Sequence, residues 1–284
     1  MQNMLTMKKL IPLLLTLLTC LSLNAQTAKK SGRTDTKVFP LGVIDEIDSR
    51  QLNEKRVLNI YLPDGYNHDS MNNYPVIYLL DGSANEDFIH IVGIVQFLTM
   101  IGTMPNSIVV GIANVDRRRD FTFPTTVEKD KKAYPTTGSS AKFIAFIEQE
   151  LQPYIREKYS NNPSTTIIGQ SLGGLLATEI LLKKPSLFSS YIIVSPSLWW
   201  DNESLVAKAP SLLKSFPDNK VNIYISVGNE EKVMVDDAKK MTGLLQGLGK
   251  KTINLQYVPL PEEDHLTILH NSVYKAFQLL DQKK

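Results

Sequence analysis

Blocks of apolar residues recur along the chain, and their spacing changes from block to block. Tyr74-Pro75-Val76-Ile77-Tyr78-Leu79-Leu80 is a nearly unbroken apolar run closed by Asp81-Gly82. Such a run marks a strand covered on both faces. Ser107–Ile112 reads as another, and Thr165–Ile168, Tyr191–Val194, Val221–Val227 and Asn254–Val258 as further strands. Between them, spacings of three and four predict helices over Phe88–Met100, Ala141–Tyr159, Leu172–Lys184, Leu205–Phe216, Val235–Leu248 and Asn271–Leu280. Pro153 interrupts the second of these. Val43–Asp48 and Arg56–Tyr61 are expected to open the fold as an antiparallel pair. Ala113–Gly138 is polar, contains Pro124 and Pro135, and is predicted to be a long loop.

Strands alternating with helices imply right-handed crossovers and a mostly parallel central sheet with helices on both faces, an α/β architecture. In such sheets ligands bind beyond the carboxyl ends of the strands. The loops of interest therefore follow Leu80, Ile168, Val194, Val227 and Val258. The 284 residues, 43% hydrophobic and 21% charged, suit a globular chain with a sizeable core. No repeat or composition break divides residues 26–284, which read as a single domain.

The first 25 residues differ from the rest. Lys8 and Lys9 precede the apolar run Leu10–Leu23, and Leu23-Asn24-Ala25 follows the pattern of a cleavage site. This describes a signal peptide over residues 1–25 and an exported protein, periplasmic or secreted. The run is shorter than the ~20 apolar residues of a comfortable membrane span. Cys20 lies inside it behind Thr19, where a lipidation signal favours Gly, Ala or Ser, so simple cleavage is expected. Cleavage removes the single cysteine, leaving an exported chain without disulfides. It also lowers the 31 basic residues by two, level with the 29 acidic ones. A balanced surface gives no general attraction to nucleic acid or membrane. Arg117-Arg118-Arg119, followed by Asp120, reads as a solvated or locally paired turn.

The candidate chemistry lies at the strand ends. Gly169-Gln170-Ser171-Leu172-Gly173 follows a predicted strand and opens a predicted helix. That is the context of a nucleophile elbow, in which glycines relieve a turn too tight for side chains. Ser171 is the candidate nucleophile. The Leu172 N–H, at a helix N-terminus, is a candidate oxyanion donor. A second donor is expected from Asp81-Gly82-Ser83-Ala84, where Gly82 permits close backbone approach and the Ser83 N–H, with that of Ala84 as the alternative, is the candidate. A serine needs a base. Of His68, His90, His265 and His270, His265 lies just past the last strand and before the last helix, where this reaction order places it, while His270 stands at the start of that helix and reads as structural. The orienting acid is expected after Val221–Val227, in Gly228-Asn229-Glu230-Glu231. Glu231 is the first choice and Glu230 the fallback, with Asp236, Asp237 and Asp264 also open. No HExxH, Cys/His cluster or Walker loop is present, so no metal or organic cofactor is implied.

Taken together, "NIYLPDGY", "YPVIYLLDG", "DRRRDFTFP", "IIGQSLGGLLA", "IVSPSLWWDN", "ISVGNEE" and "EEDH" resemble an esterase family of α/β-hydrolases. That family includes siderophore (enterochelin) esterases, feruloyl esterases, S-formylglutathione hydrolases and mycolyltransferases. The siderophore-esterase-like branch is the most similar. The resemblance implies the α/β-hydrolase fold, a triad of Ser171, His265 and Glu231, and a substrate pocket near the Arg117–Asp120 loop, with Arg119, Trp199 and Trp200 as substrate-binding candidates. Gln170 stands where the family usually has histidine. The implied activity is hydrolysis of carboxylic esters through an acyl-enzyme, on siderophore, feruloyl or acyl-glycan esters. Two alternatives stay open: an acyltransferase on the same fold, and a non-catalytic ligand binder with a relic triad. Neither substrate nor oligomeric state is readable.

Overall fold

The computed structural model describes residues 37–280; the signal-peptide expectation lies outside them. From Leu41 onward the chain builds one eight-stranded sheet. Its strands are β1 (Val43–Ser49), β2 (Glu54–Tyr61), β3 (Val76–Leu79), β4 (Ile108–Ile112), β5 (Thr165–Gln170), β6 (Ser190–Val194), β7 (Val221–Gly228) and β8 (Ile253–Leu260). They lie in the order β1-β2-β4-β3-β5-β6-β7-β8. β1 pairs antiparallel with β2, and β2 antiparallel with β4. Every later pairing is parallel. The expected opening pair and mostly parallel sheet are both present.

Alternation along the strands divides the core in two. Ile77, Leu79, Val109 and Ile168 face α1 (Phe88–Met100) and the closing helix α9 (Ile268–Leu280). Val76, Tyr78, Val110 and Ile167 face the other side. There the helices are α4 (Ser140–Phe146), α5 (Gln152–Lys158), α6 (Leu172–Lys183), α7 (Trp200–Leu212) and α8 (Lys232–Gln246). A π turn over Ile147–Leu151 joins α4 to α5, so Pro153 falls in the first turn of a new helix. There its missing N–H costs little.

The predicted long loop is partly helical. It contains α2 (Arg117–Phe121), capped by the Asp116 carboxylate on the Arg119 N–H, and α3 (Glu128–Ala133). Helices this short show no apolar period, so the pattern could not reveal them. β5 and β7 also run further than expected, carrying Gln170 and Gly228 to the carboxyl rim. No helix among the described residues is long and apolar enough to cross a membrane.

Candidate active site

Five parallel strands, β3, β5, β6, β7 and β8, deliver the candidate residues to one rim of the sheet. Ser171 joins β5 to α6 with φ 58° and ψ −118°, a strained left-handed conformation for a non-glycine residue. The turn needs Gly169: a Cβ there would meet the Gly173 carbonyl oxygen at 2.3 Å. Ser171 is gripped by the segment after β6. Its N–H donates to the Val194 carbonyl at 3.1 Å, and its own carbonyl accepts from the Ser197 N–H at 3.0 Å. The Ser171 and Ser197 hydroxyls are 3.2 Å apart.

His265 follows β8, as expected. The carboxylate that meets it is Glu230, with Oε2 at 2.7 Å from Nδ1. Glu231, the first choice from sequence, is instead exposed as the N-cap of α8. The cause is local. Gly228 and Asn229 press against the His265 loop, with the Asn229 N–H donating to the Glu263 carbonyl at 2.7 Å. Glu230 then folds back on the strand end. Its Oε1 accepts from the Gly228 N–H at 3.2 Å and from the Ser195 hydroxyl. Burial pushes the Glu230 carboxyl up, but the bonds from His265, Ser195 and Gly228 outweigh it and hold the group below its ordinary value.

Gln170, which sequence reasoning left without a task, holds the same loop from the other side. Its side-chain amide donates to the His265 carbonyl at 2.5 Å. The amide of a residue next to the nucleophile was the available signal.

A cleft of about 560 Å³ opens over this cluster. Ser171, Ser197, Glu230 and His265 line it, with Trp199, Tyr134, Met234 and Leu266 as its apolar walls. A neighbouring recess of about 410 Å³ shares Ser171, His265 and Leu266 and adds Asp81, Glu86, Asp87 and Arg117. Tyr134, Met234 and Leu266 belong to no sequence motif, and sequence reasoning missed them. The two tryptophans separate. Trp199 lines the cleft, its ring 6.3 Å from Tyr134. Trp200 is fully buried in the core, with its indole N–H donated to the Phe123 carbonyl at 2.9 Å. Neighbours in a tight turn must point in different directions.

The arginines separate in the same way. Arg119 does not reach the cleft; it donates to Glu54 at 2.6 and 3.0 Å and to Asp120 at 2.8 Å. The arginine run is locally paired, in the short helix α2 rather than a turn, and Arg119, expected at the substrate, lies outside the residues that line the cleft. Arg117 is the arginine at the recess. It forms a two-point pair with Asp81, at 2.6 and 2.9 Å, and donates to the Gln170 carbonyl at 3.3 Å.

The second oxyanion donor is expected from the loop after β3. The Gly82 N–H is already donated to the Ile112 carbonyl at 3.0 Å, so Gly82 is no free donor. Its part is close approach, since a Cβ there would meet the Gly111 Cα at 2.3 Å. Ser83 follows, its hydroxyl accepting from the Asn114 N–H at 3.3 Å. Leu172 is the first residue of α6, where N–H groups have no intrahelical acceptor and the helix dipole favours negative charge.

Comparison with known proteins places this geometry in context. Residues 49–267 match the family described as "Putative esterase". Ferri-bacillibactin esterase BesA of Bacillus subtilis is 30% identical over 279 residues, covering 90% of this chain and 96% of that protein. Among solved structures, an IroE-like serine hydrolase from Shewanella oneidensis is 31% identical with a TM-score of 0.76, covering 85% of this chain and 80% of the other. The BES protein from Bacillus cereus is 25% identical with a TM-score of 0.76, covering 86% and 97%.

Proposed function

This chain belongs to that esterase family and is a carboxylic ester hydrolase with the α/β-hydrolase fold, and from that premise we propose that Ser171, His265 and Glu230 are its triad and siderophore esters its substrates. The observation that carries the triad is the 2.7 Å contact between His265 Nδ1 and Glu230, in the cleft that Ser171 also lines. Glu230 fixes the imidazole tautomer, so that Nε2 is left as the base. Ser171 Oγ attacks the ester carbonyl and gives its proton to His265. The Leu172 and Ser83 N–H groups receive the oxyanion. His265 then protonates the departing alcohol. Water, activated by the same imidazole, releases the acid from Ser171.

The substrate class rests on two supports. A similar protein is named a ferri-bacillibactin esterase. The cleft wall of Trp199 and Tyr134 offers flat faces to aromatic acyl groups, which stack well on such rings. Export, with a periplasmic or extracellular place of work, rests on the character of residues 1–25.

The test is a chromatographic assay on ferric and iron-free catecholate trilactones, a feruloylated glycan and a p-nitrophenyl acyl ester, with Ser171→Ala as control. Preferred opening of the trilactones, abolished in Ser171→Ala, is the expected result. Efficient turnover of the glycan ester with the trilactones untouched contradicts the substrate class.

A further inference from the structure

We infer that Ser197 is a further catalytic residue, whose hydroxyl donates a hydrogen bond to Ser171 Oγ and reserves the Ser171 proton for His265. This inference rests on the triad reading above.

The geometry of the segment after β6 carries it. Ser195-Pro196-Ser197 lies between the acid and the nucleophile and touches both. Ser195 is fully buried, sits at φ 43°, and holds Glu230 through its hydroxyl. Its N–H is donated to the Ser226 carbonyl at 2.8 Å, which ties the segment to β7. Two residues on, Ser197 is 2% exposed and meets Ser171 twice, through its backbone N–H and its hydroxyl. A left-handed residue within three is a backbone cost that surrounding structure must offset. Here the segment joins two members of the site.

The direction of the hydroxyl contact follows from counting donors. A buried hydroxyl finds an acceptor for its proton. Among the described residues, Ser171 Oγ is the partner the Ser197 hydroxyl has. If Ser171 donated instead, its single proton would point at Ser197 and away from the imidazole. If Ser197 donates, Ser171 keeps its proton for the base, and its oxygen is fixed in one rotamer. The balance of the reaction is unchanged. The Ser171 Oγ–carbon bond forms while the Ser171 proton passes to His265. The carbon–alkoxy bond then breaks, and that proton leaves with the alcohol. Ser197 keeps its own proton throughout. Its hydrogen bond strengthens as charge shifts onto Ser171 Oγ, which is a gain confined to the transition state.

Hydrogen bonds to charged oxygen are worth about ten- to hundredfold in rate. The test compares Ser197→Ala, Ser197→Cys and Ser171→Ala in the full chain, with kcat and KM on a p-nitrophenyl acyl ester and thermal melting of each. The expected result is a ten- to hundredfold fall in kcat for Ser197→Ala, KM within about twofold of wild type and a melting point nearly unchanged, with Ser197→Cys in between. A purely structural Ser197 would lower melting point and activity together, and that result overturns the inference. So does wild-type kcat in folded Ser197→Ala. Should Ser197→Ala not fold, wild-type kcat in folded Ser197→Cys overturns it too. Turnover that survives in Ser171→Ala sinks the triad reading itself, and the role of Ser197 falls with it.

Discussion

His265 Nδ1 and Glu230 Oε2 are 2.7 Å apart, while the neighbouring Glu231 is exposed at the start of α8. Two adjacent carboxylates therefore have different fates. On the proposed triad, Glu230→Gln keeps the shape but removes the charge that would stabilise the imidazolium, so kcat should fall by about 10²–10⁴-fold. Glu231→Gln should stay within about twofold of wild type. Steady-state kinetics on any turned-over ester separates them. The pH dependence of stability follows the same bond. Because the folded-state Glu230 is held below its ordinary value, its contribution is present above that value and is lost as pH falls through the lower one. Denaturation of Glu230→Gln should show its largest deficit near neutrality and the smallest in acid.

The buried pair of Arg56 and Asp120, both 0% exposed, anchors α2 to β2. Glu54 joins Arg56 at 2.5 Å. Removing Asp120 leaves the buried Arg56 with Glu54 as its remaining carboxylate, so the cost falls below the about 3–5 kcal/mol of a fully uncompensated charge, to about 1–3 kcal/mol. Asp120→Ala should lose about that much in urea denaturation. Arg119 is partly exposed on the same cluster, and Arg119→Ala should cost about 1 kcal/mol or less with KM unaltered. A large rise in KM for Arg119→Ala would return it to the substrate pocket.

The tryptophans should divide by assay. Trp200→Ala empties a fully buried site and orphans the Phe123 carbonyl, with a predicted loss of about 3–5 kcal/mol of stability. Trp199→Ala removes a cleft wall and should raise KM for aromatic esters with little loss of stability. Chemical denaturation and kinetics, run on both variants, check the division.

Ser171 and His265 were legible as candidates because each sits at a junction that pattern reveals. One ends a β-branched run and opens a leucine-rich helix; the other lies between the last strand and the last helix. The strand order was legible only as a class. Which of two neighbouring side chains turns inward was not. Glu230 and Glu231, Trp199 and Trp200, and Arg117 and Arg119 all lie in turns or short helices, where period gives no direction. There the outcome depends on contacts from distant chain, such as Glu263 on Asn229, Phe123 on Trp200 and Glu54 on Arg119. The same holds for Tyr134 and Leu266, whose place in the cleft comes from the fold and not from a motif.

Asp237 on α8 is a predicted weak point. Burial and the nearby Glu203 push its carboxyl up to about 6, and its Oδ2 has no hydrogen-bond partner. A raised folded-state value means the proton binds more tightly in the native state. Stability therefore falls as pH rises through about 6, and the cost is absent in acid below the ordinary carboxylate value. Asp237→Asn should raise the melting point at pH 7–8, by on the order of 1 kcal/mol of stability. The gain should shrink toward pH 4. Calorimetry across that range reads it directly.

The central claim is an activated Ser171 dependent on His265. Intact-mass spectrometry after exposure to an organophosphonate ester tests it most directly, on wild type, Ser171→Ala and His265→Ala. The account predicts one adduct per chain, mapped to Ser171, and none in either variant over the same time. A folded wild type that takes no adduct, or takes it on another residue, would contradict it.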